Sequence, residues 1–305
     1  MMDDRVKVLD GFKPLTLDDK PALDHYLKAD PPQTSELTFT NLFMWRHQYR
    51  PCWQTHGDCL LLALYQGNGQ GFFGMPPVGP GDKSAAIDFL FSCLVEASQA
   101  DPRLCRAGSD LVENHLDPDR HQAEADRDQF DYVYLSQDLI NLSGRKFHRK
   151  KNHLNKFKKN VAHEYRRLDQ SLVDQVLAVQ AAWCELKRCL ENPGLLAEDR
   201  AVYEALSNFS HLDYSGGAIL IEGRVEAFSL GEPLNPDTAV IHIEKANPEI
   251  PGLYAAINQM FAADAFMDLE YINREQDLGV EGLRAAKESY QPHHLVEKYV
   301  VRPRR

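Results

Sequence analysis

Two polar clusters in the last third of the chain carry residue types able to bind and polarise a substrate: Glu244-Lys245-Ala246-Asn247 and Asn273-Arg274-Glu275-Gln276-Asp277. Each closes a short apolar run, Thr238 to Glu244 and Leu269 to Asn273, that reads as a strand. A helix starting near Pro251-Gly252 would add free backbone N–H groups for an anion or a developing oxyanion. The predicted substrate-site residues are therefore Glu244, Lys245, Asn247, Gly252, Tyr254, Asn273, Arg274, Glu275 and Asp277. Strand alternation sends Glu244 and Lys245 to opposite faces, so a regular strand presents one of them. Glu244 and Arg274 equally fit an ion pair between adjacent strands, and Asp277 equally fits a helix cap. None of these residues receives a catalytic role.

A third cluster is basic. Arg145 to Arg167 hold ten Lys or Arg against one acid, Glu164, giving +9 in a chain of net charge −11, so the remainder carries −20. Phe147, Leu154, Phe157 and Val161 recur within it at helical intervals, which predicts a long basic helix over Gly144 to Val161. Arg145, Lys146, Arg149, Lys150, Lys151, Lys156, Lys158 and Lys159 form the predicted RNA-binding set, with Phe147, His148 and His153 able to stack. An anionic membrane surface is the second reading and a solvated helix face the third.

Other chemistries find little support. His242 alternates with Val240 and Glu244 on one strand face, where a hydrogen-bonded core histidine is expected. Lys287 and Tyr290 read as a solvated or packing pair, and no GxSxG elbow occurs. Cys52, Cys59, Cys93, Cys105, Cys184 and Cys189 match no zinc spacing and are expected as reduced thiols, with no metal. Met1 to Lys13 shows no secretory leader, and the longest strongly apolar stretch, Cys59 to Tyr65, is far short of the roughly twenty residues of a membrane span. A soluble cytoplasmic protein is the expectation.

The elements that must position these clusters follow from periodicity. Ser35 to Arg46 predicts a short helix with Ser35 as its cap, and Cys59 to Tyr65 a buried strand. Gly67 to Asp82 reads as a loop around a short strand at Gly71 to Met75. Ile87, Leu90, Phe91, Leu94 and Val95 mark a helix, and Phe130 to Leu135 a strand. Helices follow at Val173 to Leu190 and Ala201 to Phe209, then a hairpin of Gly217 to Glu222 and Val225 to Leu230. After the strand at Thr238 come a helix from Leu253, the strand ending at Asn273, a helix over Val280 to Tyr290 and a strand over Leu295 to Val301. The class is α/β with a mixed sheet, in the strand and helix order of the GNAT acyltransferase core, with a parallel crossover from Thr238 to Asn273.

The segments Glu36 to Trp45, Gly144 to Phe157, Glu244 to Asn247 with Gly252-Leu253-Tyr254, Asn273 to Gly279, and Gly282-Leu283-Arg284 through Lys287 to Tyr290 carry a resemblance. They resemble a family of stand-alone proteins whose domain is shared with the C-terminal part of bacterial phosphatidylglycerol lysyltransferases. The resemblance implies tandem GNAT-like domains, similar to Fem-type aminoacyltransferases that use charged tRNA. Their expected extents are 1-140, a basic linking helix at 141-170, and 171-305. It implies aminoacyl-tRNA as donor, no further cofactor, tRNA as partner, and a lipid, peptide or small-molecule amine or hydroxyl as acceptor. Acetyl-CoA enzymes of this fold carry an Arg/Gln-x-x-Gly-x-Gly/Ala loop after the equivalent strand. Here Lys245 to Tyr254 holds only Gly252, which disfavours acetyl-CoA. A CoA-dependent N-acyltransferase and a non-catalytic module binding RNA or an anionic surface are the alternatives.

Overall fold

A computed structural model describes residues 8–67, 71–97 and 100–304. Residues 1–7 of the expected leaderless N-terminus and 68–70 of the expected loop lie outside the described residues. In chain order the strands are β1 (Lys13–Pro14), β2 (Cys52–His56), β3 (Cys59–Gln66), β4 (Gly71–Gly74), β5 (Leu104–Gly108), β6 (His121–Ala125), β7 (Asp131–Leu135), β8 (Glu164–Arg167), β9 (Ser215–Ile221), β10 (Arg224–Pro233), β11 (Thr238–Ala246), β12 (Tyr271–Asn273), β13 (His294–Val296) and β14 (Lys298–Pro303). The helices are α1 (Lys20–Ala29), α2 (Phe39–Met44), α3 (Arg46–Tyr49), α4 (Lys83–Glu96), α5 (Ser109–Asn114), α6 (Ser136–Asn141), α7 (His148–Asn160), α8 (Val173–Leu186), α9 (Pro193–Ser207), α10 (Leu253–Ala265) and α11 (Glu281–Glu288).

These strands form two mixed sheets, ordered β1-β2-β3-β4-β5-β14-β6 and β13-β7-β12-β11-β10-β9-β8. Each sheet has a parallel step, β4 beside β5 in the first and β11 beside β12 in the second. A parallel step requires a long crossover, supplied by α4 in one sheet and α10 in the other. Two copies of one arrangement result, and the repeat shows in strand pairing rather than in sequence. The copies are interleaved along the chain. β7, from the first half, pairs with β12, while the C-terminal β14 lies between β5 and β6.

Two compact units follow: the described residues up to Asp131 with those from Val296, and Tyr132–Leu295. These bounds differ from the expected 1-140, 141-170 and 171-305. Leu295 to Val301, expected as one strand, is divided between β13 in the second sheet and β14 in the first. The basic helix α7 is a part of the second unit rather than a linker, because Phe147, Leu154 and Phe157 are buried in that unit's core with Ile219, Ile241, Ile257 and Phe261. Each such side chain contributes roughly 1.5–3 kcal/mol on burial. The first unit's core joins Ile87, Leu90, Phe91 and Leu94 of α4 to Leu61 and Ala63 of β3.

Local chemistry corrects several sequence expectations. Thr38, not Ser35, caps α2 by accepting from the Asn41 N–H at 3.0 Å. Ser35 instead donates through its N–H and Oγ to Asp131, each at 2.9 Å. Asn192 accepts from Gly194 and Leu195 with Pro193 in the first turn, so α9 starts at Pro193 rather than Ala201. At the other end α8 stops at Leu186 instead of Leu190, and Cys184 is bonded to Cys189 as a disulfide, correcting the expectation of six reduced thiols. The hairpin between β9 and β10 turns on Glu222 and Gly223, both with positive φ (52° and 77°), the signature of a two-residue turn matched to strand twist.

Candidate functional site

The site grows from the early divergence of β11 and β12. Their parallel pairing covers Thr238 to Val240 against Tyr271 to Asn273, while β11 continues with β10 to Ala246. Beyond that point the two strand ends are joined by side chains. Deepest is His242, whose Nδ1–H donates to Glu275 Oε1 and Nε2–H to Glu232 Oε1, both at 2.9 Å. Burial opposes its charging, yet the two carboxylates prevail and push its pKa up to about 10. It is a buried imidazolium held between two acids, the hydrogen-bonded core role expected.

One turn outward, Arg274 Nη2 donates to Glu244 Oε1 at 2.9 Å, and Asn258 of α10 donates to Glu244 Oε2 at 2.8 Å. Both carboxylate oxygens of Glu244 are thus engaged. The guanidinium of Arg274 lies 4.7 Å from the Tyr290 ring centroid and 5.6 Å from that of Tyr134. Burial works against its charge and the neighbouring Glu244 restores it, so its pKa stays raised. Its Nη1 is buried without a hydrogen-bond partner. Lys287 donates to the Arg274 carbonyl, fixing the backbone that carries the guanidinium.

Lys150 of α7 completes this group. Its Nζ stands 4.0 Å from the Tyr290 centroid and has no ion-pair or hydrogen-bond partner among the described residues. Burial, then Arg274 and Arg149, lower its pKa to about 8, against a smaller opposing pull from Glu244. Burial pushes the Tyr290 hydroxyl up to about 12. The arrangement sets two cations and two tyrosines around a carboxylate that is already occupied, and it suits an anionic oxygen better than an amine.

The other predicted site residues separate into two sets. Asn273 and Asp277 build the turn. Asn273 Oδ1 accepts from Glu275 N, whose φ is +58°, and Asp277, fully buried, accepts from Tyr132 Oη, Gly279 N and Arg284 at 2.6–2.9 Å. Burial alone would raise the Asp277 pKa, but the Arg284, Tyr132 and Gly279 contacts hold it well below the usual carboxylate range. Lys245 points to the opposite sheet face, as alternation requires, paired with Glu198 at 2.9 Å and 3.6 Å from the Trp183 ring centroid. Tyr254 accepts from Trp183 Nε1, and Asn247 donates to Glu226. Asn247, Trp183, Leu186 and Glu226 belong to the lining of a groove of about 560 Å³ along α8.

Gly252 marks where α10 meets α7. Its φ is +88°, and a Cβ there would come 2.6 Å from the His153 carbonyl oxygen. The start of α10, expected to open towards a ligand, is therefore crowded by the backbone of α7. On α7 Arg149, Lys151, Lys156 and Lys159, and Arg145 in the turn just before it, are exposed and unpaired among the described residues. Lys146 pairs with Asp138 at 2.9 Å, and Lys158 donates to Gln259 at 3.0 Å. Sequence reasoning placed Lys150 among the outward cations, although it follows Phe147 by three and precedes Leu154 by four, the buried side of the helix. Tyr290, Lys287, Asn258, Tyr134 and Trp183 were outside the predicted site.

The family model described as phosphatidylglycerol lysyltransferase, C-terminal matches residues 30–302. A conserved protein of unknown function from Bacteroides thetaiotaomicron VPI-5482 is 34% identical, with a TM-score of 0.90 over 96% of this chain and 99% of its own. The C-terminal domain of a putative lysylphosphatidylglycerol synthetase from Agrobacterium fabrum aligns at TM-score 0.67 and 12% identity, covering 93% of this chain and 91% of its own. FemX aligns at 0.61 and 9%, covering 95% and 96%. These last two likenesses show a shared fold. No curated protein matches significantly. Among the described residues no helix is long and apolar enough to cross a membrane. The family model indicates an acyltransferase of the phosphatidylglycerol lysyltransferase type.

Proposed function

The chain belongs to the phosphatidylglycerol lysyltransferase C-terminal family, and from that premise we propose that it is an aminoacyltransferase, moving an amino acid from the 3′ ester of charged tRNA to an amine or hydroxyl. The acceptor is a lipid, a peptide or a small molecule, and the reaction takes place in the cytoplasm. One observation carries the reading. The unpaired cations of α7 run without interruption of the helix into Lys150, which shares Tyr290 with the Arg274–Glu244 pair. A polyanion on the outer face of α7 would bring its end to that group. An ester is already activated, so positioning and stabilisation of the developing oxyanion by Arg274 supply the catalysis.

Glu244 is held by Arg274 and Asn258, so its task is to orient the guanidinium rather than to meet a substrate amine. The donor is the charged tRNA itself, with no separate cofactor proposed. Crowding of the α10 start at Gly252 supports this over acetyl-CoA, whose pyrophosphate would need that end of the helix. Screening purified protein against charged tRNAs, with the released amino acid followed into products, tests the proposal. Reversing Lys150 and Lys151 to Glu is expected to weaken tRNA binding by about tenfold or more at low salt and to flatten the salt dependence by roughly one unit of slope per lost phosphate contact. Indifference to every charged tRNA at low salt would sink it. Binding without transfer, unaffected by substitution of Arg274, would favour a non-catalytic RNA module instead.

A further inference from the structure

Most of the α7 cations can serve any polyanion, but Lys150 differs from them in place and in company. It lies on the inner side of the helix, half-buried over Tyr290, with three N–H donors and no acceptor among the described residues. Beside it the Arg274 guanidinium has a buried Nη1 that is also without an acceptor. Glu244, the carboxylate that acts on both among the described residues, has its two oxygens committed to Arg274 Nη2 and Asn258. The buried donor of Arg274 and the half-buried ammonium of Lys150 form an incomplete site, because a buried polar group without a partner is costly unless a ligand supplies the missing acceptor. A tetrahedral oxyanion offers several acceptor oxygens at once and the compensating charge.

We propose that Lys150 and Arg274 form a phosphoryl subsite that holds a phosphodiester of the tRNA 3′ end, fixing the ester next to the Glu244–Arg274 pair. This rests on the aminoacyl-tRNA reading. RNA is favoured over a lipid headgroup because the exposed cations Arg149 and Lys151 flank Lys150 on the same helix and extend the track along a chain of phosphates. The charged and titratable groups facing Lys150 are Arg149 on its own helix, Glu244 on β11, Arg274 after β12 and Tyr290 after α11. With Lys150 titrating near 8 in the protein alone, an arriving anion restores its charge, so binding takes up a proton at mildly alkaline pH.

Calorimetric titration with inorganic phosphate at about pH 8.5, in two buffers of different ionisation enthalpy, reads this directly. Proton uptake is expected for the wild type. Lys150→Met should lose the uptake and about tenfold in affinity, whereas Lys150→Arg should keep affinity without uptake. Lys187→Met removes an equivalent charge elsewhere and should change neither. Equal weakening by Lys187→Met, or unchanged binding by Lys150→Met, overturns the subsite. Competition then identifies the source. Uncharged tRNA should displace phosphate, and tRNA trimmed of its 3′ nucleotides should do so about tenfold less well. Displacement by phosphatidylglycerol vesicles but not by tRNA overturns the RNA assignment. Failure of wild-type protein to bind tRNA at all sinks the proposed function, while tRNA binding that ignores both the 3′ end and Lys150 sinks the subsite alone.

Discussion

Each sheet ends its parallel step on an arginine clasped by a glutamate: Arg106 Nε on Glu36 Oε1 in the first unit and Arg274 Nη2 on Glu244 Oε1 in the second, both at 2.9 Å. Each arginine also lies near two aromatic rings, Tyr49 and Phe73 in one case, Tyr134 and Tyr290 in the other. A lysine accompanies each pair, and there the two diverge. Lys298 is fully buried, 2.7 Å from Glu36 and 2.6 Å from Asp131. Two cations meet two acids, and although burial disfavours the ammonium, Asp131 and Glu36 raise its pKa. Lys150 meets no second acid and its pKa falls. The same wedge is a closed structural knot in one unit and a site with surplus positive charge in the other. Glu36, in a segment that carries the family resemblance, is thus explained by folding rather than by chemistry.

That contrast can be broken at the knot first. Lys298→Met would leave two buried carboxylates with one cation, Arg106, and is expected to cost about 3–5 kcal/mol in urea unfolding. The second unit contains one sealed group of the same kind in His242, which sharpens the comparison through pH. Its pKa is raised from an unfolded value of about 6.5, so its stabilisation is full below that pH and disappears as pH rises through about 10. The gap in unfolding free energy between wild type and His242→Gln should be on the order of 3 kcal/mol near pH 6 and close towards pH 10. A gap independent of pH would show that His242 is neutral. The smallest effect belongs to Lys150→Met, expected to cost under about 1 kcal/mol because no partner is stranded. A loss as large as that of Lys298→Met would erase the distinction between the wedges.

Much of the fold was legible from local pattern. The seam of Phe147, Leu154 and Phe157 located α7, and alternation correctly separated Glu244 from Lys245. Pairing partners were not legible, since Leu295 to Val301 alternates like a single strand and only long-range register assigns Lys298–Pro303 to β5 and β6. The site was half visible. Arg274 and Glu244 could be brought together from strand topology, but the closure of Asp277 by Tyr132 and Arg284 depends on a residue 145 positions away. Tyr290 was hidden for the same reason: its partners come from α7 and the turn after β12. Lys150 was readable in principle, because its spacing from Phe147 and Leu154 puts it on the buried side.

The most direct test of the second wedge as the working site is single-turnover transfer from charged tRNA by wild type and Arg274→Lys, with tRNA affinity measured on the same samples. Expected is a loss of transfer of about a hundredfold or more, the scale of a missing oxyanion donor, well beyond the loss of affinity, about tenfold at most, that one weakened phosphate contact brings. Transfer that is unchanged, or that falls only in step with binding, would contradict it.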